Sequence, residues 1–182
     1  MSGAGETGPV PIAVPLDEAK AWLRMEAGAD DAVLTAVLRS ATAACEDFTG
    51  VALVARERVV VLPITGDWQR LSGCPVAAIT LVEGVPAEGS AFALPVASYS
   101  VDIDAGGDGW VRVTQPGAAG RMRVTYRVGM VASAGAVPEA LRQGMLMLAA
   151  RMMRERDDPG SGGAVPGTVE ALWRAWRRLR LG

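Results

Sequence analysis

The sequence predicts an α+β fold: a helical bundle of three main helices plus a C-terminal helix, with a small antiparallel β unit inserted into it. Three observations carry this. Apolar residues recur at helical spacing between Val33 and Phe48, and again after Val137. Between those stretches the period falls to two and β-branched runs such as Val59-Val60-Val61 appear. A cluster of Pro and Gly within Asp157 to Gly167 then sets the last helical pattern apart. With 182 residues, half of them apolar and 21% charged, the chain suits one ordinary domain with its own core.

The elements follow in order. Residues 1–15 contain Pro9, Pro11, Pro15 and scattered glycines, which predicts an extended N-terminal arm, poorly ordered unless a partner holds it. Leu16 to Arg24 reads as a short helix with Asp17 and Glu18 near its positive end. Asp30 or Asp31 caps a longer helix to about Thr49, whose buried stripe is Val33, Leu34, Val37, Leu38, Ala41, Cys45 and Phe48. Gly50 stands where a left-handed residue ends a helix. Residues 16–50 and 137–157 form the expected helical core, and 51–136 the β insertion. Its strands are expected at 56–62, 77–82, 99–103, 110–114 and 122–128, with a loop at Asp104 to Gly109. Met122, Val124, Tyr126 and Val128 alternate with Arg121, Arg123, Thr125 and Arg127, giving one apolar and one basic face.

Pro138 suits the first turn of a helix running to about Arg156. Its segment Gly144 to Met153 is apolar nearly all round, so it is buried on several sides, by its own core or in part by another subunit. Residues 158–167 are a flexible linker. Residues 168–182 form a closing helix, capped by Thr168 with Glu170 in its first turn. On it Val169, Leu172, Trp173, Trp176 and Leu179 share one face. Arg174, Arg177 and Arg178 lie opposite, and Arg180 borders the apolar stripe.

Composition removes many functions. There is no histidine, which excludes the Ser-His-Asp triad, an imidazole base and any His-ligated metal. A net charge of −2 supplies no bulk attraction to nucleic acid or an anionic membrane. Cys45 reads as core and Cys74 as a turn residue; neither belongs to a CxxC, and the pair fits a reducing compartment. The start lacks a secretory pattern and no apolar run reaches the ~18 residues that span a bilayer, so synthesis in the cytoplasm is expected. Of 18 basic residues 17 are arginine, a bias of GC-rich genomes that also suits arginine-rich interfaces. Asp102, Asp104 and Asp108 resemble a calcium loop in part, but the twelfth place of that count is Val113, so a solvated hairpin loop is expected and no metal. The glycine-rich pieces lack the GK[ST] of a phosphate loop. With no acid/base pair or activated nucleophile, neither an enzyme nor a cofactor site is expected. Arg121, Arg123 and Arg127 could meet phosphates or pair with acids.

The tail is the best candidate for a partner. A short amphipathic helix with two tryptophans behind a linker is a docking device. Three destinations stay open: its own domain, another protein, or a membrane surface.

The order of the pieces resembles the head–tail connector (adaptor) proteins of long-tailed phages and of phage-derived gene transfer agents. Leu16-Asp-Glu-Ala-Lys-Ala-Trp-Leu-Arg24, and Asp30-Asp-Ala-Val-Leu34 leading to Phe48-Thr-Gly50, resemble the family's two opening helices. Tyr126-Arg-Val-Gly129 resembles the run before the third helix in members with a β insertion, which smaller members lack. Val137-Pro-Glu-Ala-Leu-Arg-Gln-Gly-Met-Leu-Met-Leu148 resembles the third helix, and Val169-Glu-Ala-Leu172 the start of the closing one. The resemblance implies a structural protein without a catalytic site. It implies a homo-oligomeric ring, usually dodecameric, below the capsid portal, extending a channel for non-specific DNA and receiving the stopper or tail-terminator protein. It implies assembly in the cytoplasm and residence at the head–tail interface of the particle. The portal-binding residues it points to are Val169, Leu172, Trp173, Trp176, Arg177, Arg178, Leu179 and Arg180. Ring closure needs two complementary patches, which the acid-rich residues 1–50 (net −5) and the basic later segments could supply. A membrane-surface protein using the Trp/Arg helix, or a small β-rich ligand-binding module, is the alternative.

Overall fold

The computed structural model describes residues 10–25, 30–155 and 165–178. In chain order the elements are helix α1 (Leu16–Leu23) and helix α2 (Asp31–Thr49), then strands β1 (Arg56–Pro63), β2 (Gln69–Arg70), β3 (Val76–Pro86), β4 (Phe92–Ala93), β5 (Tyr99–Ile103), β6 (Gly109–Val113) and β7 (Ala119–Val128), then helices α3 (Glu139–Glu155) and α4 (Gly167–Trp173). The chain is mixed α+β, and its strands form two small antiparallel sheets. It divides into two compact units: a β unit holding Ala55–Gly129, and a helical unit of Val10–Val54 with Met130–Gly182.

The helical unit is built on α2 packed along α3. Leu34, Leu38, Ala41 and Cys45 of α2 are fully buried in one cluster with Leu141, Met145 and Ala149 of α3. Gly50 closes α2 at φ 72° and its N–H donates to the Glu46 carbonyl. Where the chain leaves this unit and where it returns, Val54 and Val131 form a parallel bridge, and the Val131 N–H donates to the Leu53 carbonyl at 3.0 Å. Much of the apolar girth of α3 is covered from within the unit, where it packs against α1, α2 and α4.

Residues 10–15 differ from the free arm the prolines predict. Ala13 and Val14 are fully buried, and the Ala13 N–H donates to Thr42 Oγ1 at 3.1 Å. Two small apolar side chains and one satisfied amide are enough to seat this stretch on α2. The closing helix also differs. It starts at Gly167, with Pro166 as the capping residue, whose carbonyl accepts the Val169 and Glu170 N–H groups. Thr168 is not the cap. The helix ends at Trp173, a 3₁₀ turn covers Arg174–Trp176, and Arg177 is extended. The Arg178 N–H donates to the Thr49 carbonyl at 2.8 Å, and this bond to the end of α2 draws the chain off the helical path. Most of the expected linker, residues 158–164, lies outside the described residues.

In the β unit, the four-stranded sheet has the order β1-β7-β3-β4 and the three-stranded sheet β2-β6-β5. The alternation of β7 appears as burial: Met122, Val124, Tyr126 and Val128 are at most 1% exposed, and Arg121 and Arg127 face solvent. The Tyr126 hydroxyl donates to the Ser72 carbonyl at 2.9 Å, so the one polar atom of this buried ring is satisfied. The two-residue strands β2 and β4 went unforeseen.

Candidate functional site

The docking segment is anchored by Trp173. Its indole is fully buried, and its Nε1–H donates to the Leu141 carbonyl of α3 at 3.3 Å. Gly144, one turn further along α3, leaves the room: a Cβ there would overlap the indole. Phe48 of α2 lies against Trp173 with ring centroids 5.9 Å apart and planes at 55°, and the Arg177 guanidinium lies 5.6 Å from the Phe48 centroid. Val169 is 1% exposed and Leu172 is partly buried. The segment's first half is thus held by its own unit. Its second half is presented outward: Trp176 is 36% exposed and Arg177 is exposed. Arg178 is half-buried, and Leu179 and Arg180 lie outside the described residues.

The other sequence candidates resolve chemically. The basic face of β7 is partly neutralised, since Arg123 makes two hydrogen bonds to Glu83 of β3, at 2.7 and 3.0 Å. This bond to Arg123 holds the Glu83 carboxyl below its usual range. In the hairpin loop, Asp104 accepts from Trp110 Nε1 and from the Asp108 N–H, both at 3.0 Å, which holds its carboxyl low as well. Asp108 pairs with Arg70 at 2.7 Å. Two of the three aspartates therefore serve loop geometry. Among the described residues no three acidic or cysteine side chains come together as a metal site. Cys45 and Cys74 are buried and form no disulfide; burial, with Glu46 beside it, pushes the Cys45 thiol far up. Asp31 and Glu46, which the acid-rich N-terminal third offered for ring contacts, are engaged within the chain, by Lys20 Nζ at 2.6 Å and by the Leu53 N–H at 2.7 Å. No described helix is long and apolar enough to cross a membrane.

Two features were missed. A groove of about 460 Å³ in the helical unit is lined by Trp22, Leu23, Met25, Ala150 and Met153 and flanked by Arg24 and Arg154. Trp22 lies off the Leu16–Ala19–Leu23 stripe of α1, a signal present in the sequence, and is 47% exposed. In the β unit, Trp68, Trp110 and Asp102 line a slot of about 300 Å³. These residues meet only through the β2-β6-β5 pairing, which local sequence does not reveal.

No protein-family model and no curated protein matches the chain. Solved structures do. A chain of the neck of an empty gene transfer agent particle, computed with C6 symmetry, is 32% identical and superposes with a TM-score of 0.77, covering 98% of this chain and 96% of that one. A chain of the neck of the native particle, computed with C12 symmetry, is 31% identical with a TM-score of 0.75 over 98% and 96%. A chain of the native virion is 31% identical with a TM-score of 0.73 over 98% and 97%. The chain belongs to the gene transfer agent family of head–tail connector proteins. Its role is structural, at the junction of head and tail, and its relatives are virion neck components rather than enzymes. For a connector, the features that matter are surfaces: the outward half of the C-terminal segment, the Trp22 groove and the Trp68–Trp110 slot.

Proposed function

We propose that this connector forms a dodecameric ring that joins the capsid portal to the stopper or tail-terminator protein and extends the channel through which DNA passes. The observation that carries the reading is the match over 98% of the chain to neck components solved with C6 and C12 symmetry. Cyclic closure requires two different, complementary patches on each copy. The channel has to let DNA slide without gripping its phosphates, which favours a neutral or acidic lumen and no base reading. Assembly takes place in the cytoplasm, before the finished particle holds the ring at its head–tail interface.

The portal contact is assigned to the C-terminal segment, with a division of labour. Val169, Leu172 and Trp173 fasten it to α2 and α3, and Trp176, Arg177, Arg178, Leu179 and Arg180 meet the portal. The membrane-surface reading is weakened because Val169 and Trp173, the centre of its apolar face, are buried. The test is co-sedimentation with the cognate portal, comparing the full-length chain with one ending at Trp176. Cutting earlier would remove Trp173 from the core and confuse docking with folding. Full-length binding, weakened at least tenfold by the cut, is the expected result. Equal binding by both moves the contact elsewhere, and no binding by the folded full-length chain overturns the portal assignment.

A further inference from the structure

The slot in the β unit has the chemistry of a guanidinium receptor. Trp68 is 43% exposed, and Arg112 of its own chain already lies 5.0 Å from the Trp68 ring centroid, so that ring accepts this kind of cation. Trp110 is held in place by its bond to Asp104. Asp102 is paired with Trp110 across β5 and β6. Of the three aspartates here, Asp102 is the one whose carboxylate has no partner among the described residues; Asp104 and Asp108 are both engaged. Two indoles and an uncompensated carboxylate in one open slot match a planar, weakly hydrated cation better than a compact, strongly hydrated one.

The chain itself carries a complementary patch. Arg24 and Arg154 are exposed, have no carboxylate partner among the described residues, and flank the apolar Trp22 groove. We propose that the Trp68–Trp110–Asp102 slot receives Arg24 or Arg154 of a second copy of the chain, with the Trp22 groove covered in the same contact. The inference rests on the ring reading. Slot and groove are different surfaces, so their pairing is heterologous, as cyclic symmetry requires. The arginines and the carboxylate slot are then matched in charge.

The test uses particles assembled with the full-length chain. Asp102→Cys is combined with Arg154→Cys, with Arg24→Cys, or with Arg39→Cys, an exposed arginine of α2, as a control. Purified necks are treated with a short bismaleimide. A ladder of covalent multimers with position 24 or 154, and none with 39, is the expected result. Necks that contain the chain yet give no ladder with either partner overturn the pairing and leave the ring reading standing. Necks that lack even the wild-type chain overturn the ring reading and the pairing with it. A charge exchange guards against poor incorporation of cysteine variants. Asp102→Arg should lower neck incorporation about tenfold, and Arg154→Asp or Arg24→Asp in the same chain should restore it. Wild-type incorporation of Asp102→Arg overturns the proposal.

Discussion

Trp173 shows how one side chain fixes what a segment can do. Sequence placed it with Trp176 on an apolar face open to three destinations, and spacing alone does not choose among them. The choice depends on Gly144, which is 29 residues upstream and vacates the space the indole fills. Removing the ring leaves a cavity among α2, α3 and α4. Trp173→Ala should cost ~3–5 kcal/mol, a drop of roughly 10 °C or more in the melting of the helical unit. Gly144→Ala in the native background should also destabilise, because its Cβ meets the indole. In the Trp173→Ala background the sign should reverse: the clash is gone, and alanine exceeds glycine in helix propensity by ~1 kcal/mol. Thermal denaturation of the four chains measures the coupling, and additive losses would contradict the assigned contact.

Among the elements, α2, α3 and β7 were legible because each is long enough for its period to show and buries its apolar residues, and β5 because its apolar and polar residues alternate. The strands β2 and β4, of two residues each, carry no period, and their pairing with β6 and β3 is a tertiary event. The end of α4 was misjudged for a related reason. The run to Leu181 is a good helical pattern, but the Arg178 bond to Thr49 outweighs it. The basic face of β7 was visible in sequence, whereas the acid that answers it, Glu83, needed the β3–β7 register. That pair gives the sheet a pH signature. The folded-state pKa of Glu83 is lowered from 4.5, so the folded sheet favours the carboxylate. Its stabilisation is complete above that value and is lost as pH falls through the lowered pKa. Glu83→Gln should therefore melt below the native chain at neutral pH and converge with it once the pH has fallen through the lowered pKa. Added salt should narrow the neutral-pH gap, since Arg123 is 41% exposed. A gap that persists unchanged in acid would mean that the pair contributes through packing rather than charge.

At the level of the whole molecule, the helical unit has a core drawn entirely from its own residues: Val14, Leu34, Leu38, Leu141, Met145 and Trp173 are fully buried in one cluster. The β unit enters this frame between Val54 and Met130, and the bridge between Val54 and Val131 keeps those two chain ends adjacent. Adjacent strands are ~5 Å apart, a span that a linker of about six Gly/Ser residues covers without strain. Replacing Ala55–Gly129 by such a linker should leave a helical protein that melts cooperatively, measured by circular dichroism, with Trp173 still shielded from fluorescence quenchers. Because the described contacts of α4 are with α2 and α3, the shortened chain should retain its affinity for the portal. It should fail to form rings, because the Trp68–Trp110–Asp102 slot is removed with the β unit. Portal binding and self-association would then be separable functions of two separable units. A shortened chain that folds and still closes into rings would place the subunit contact wholly within the helices.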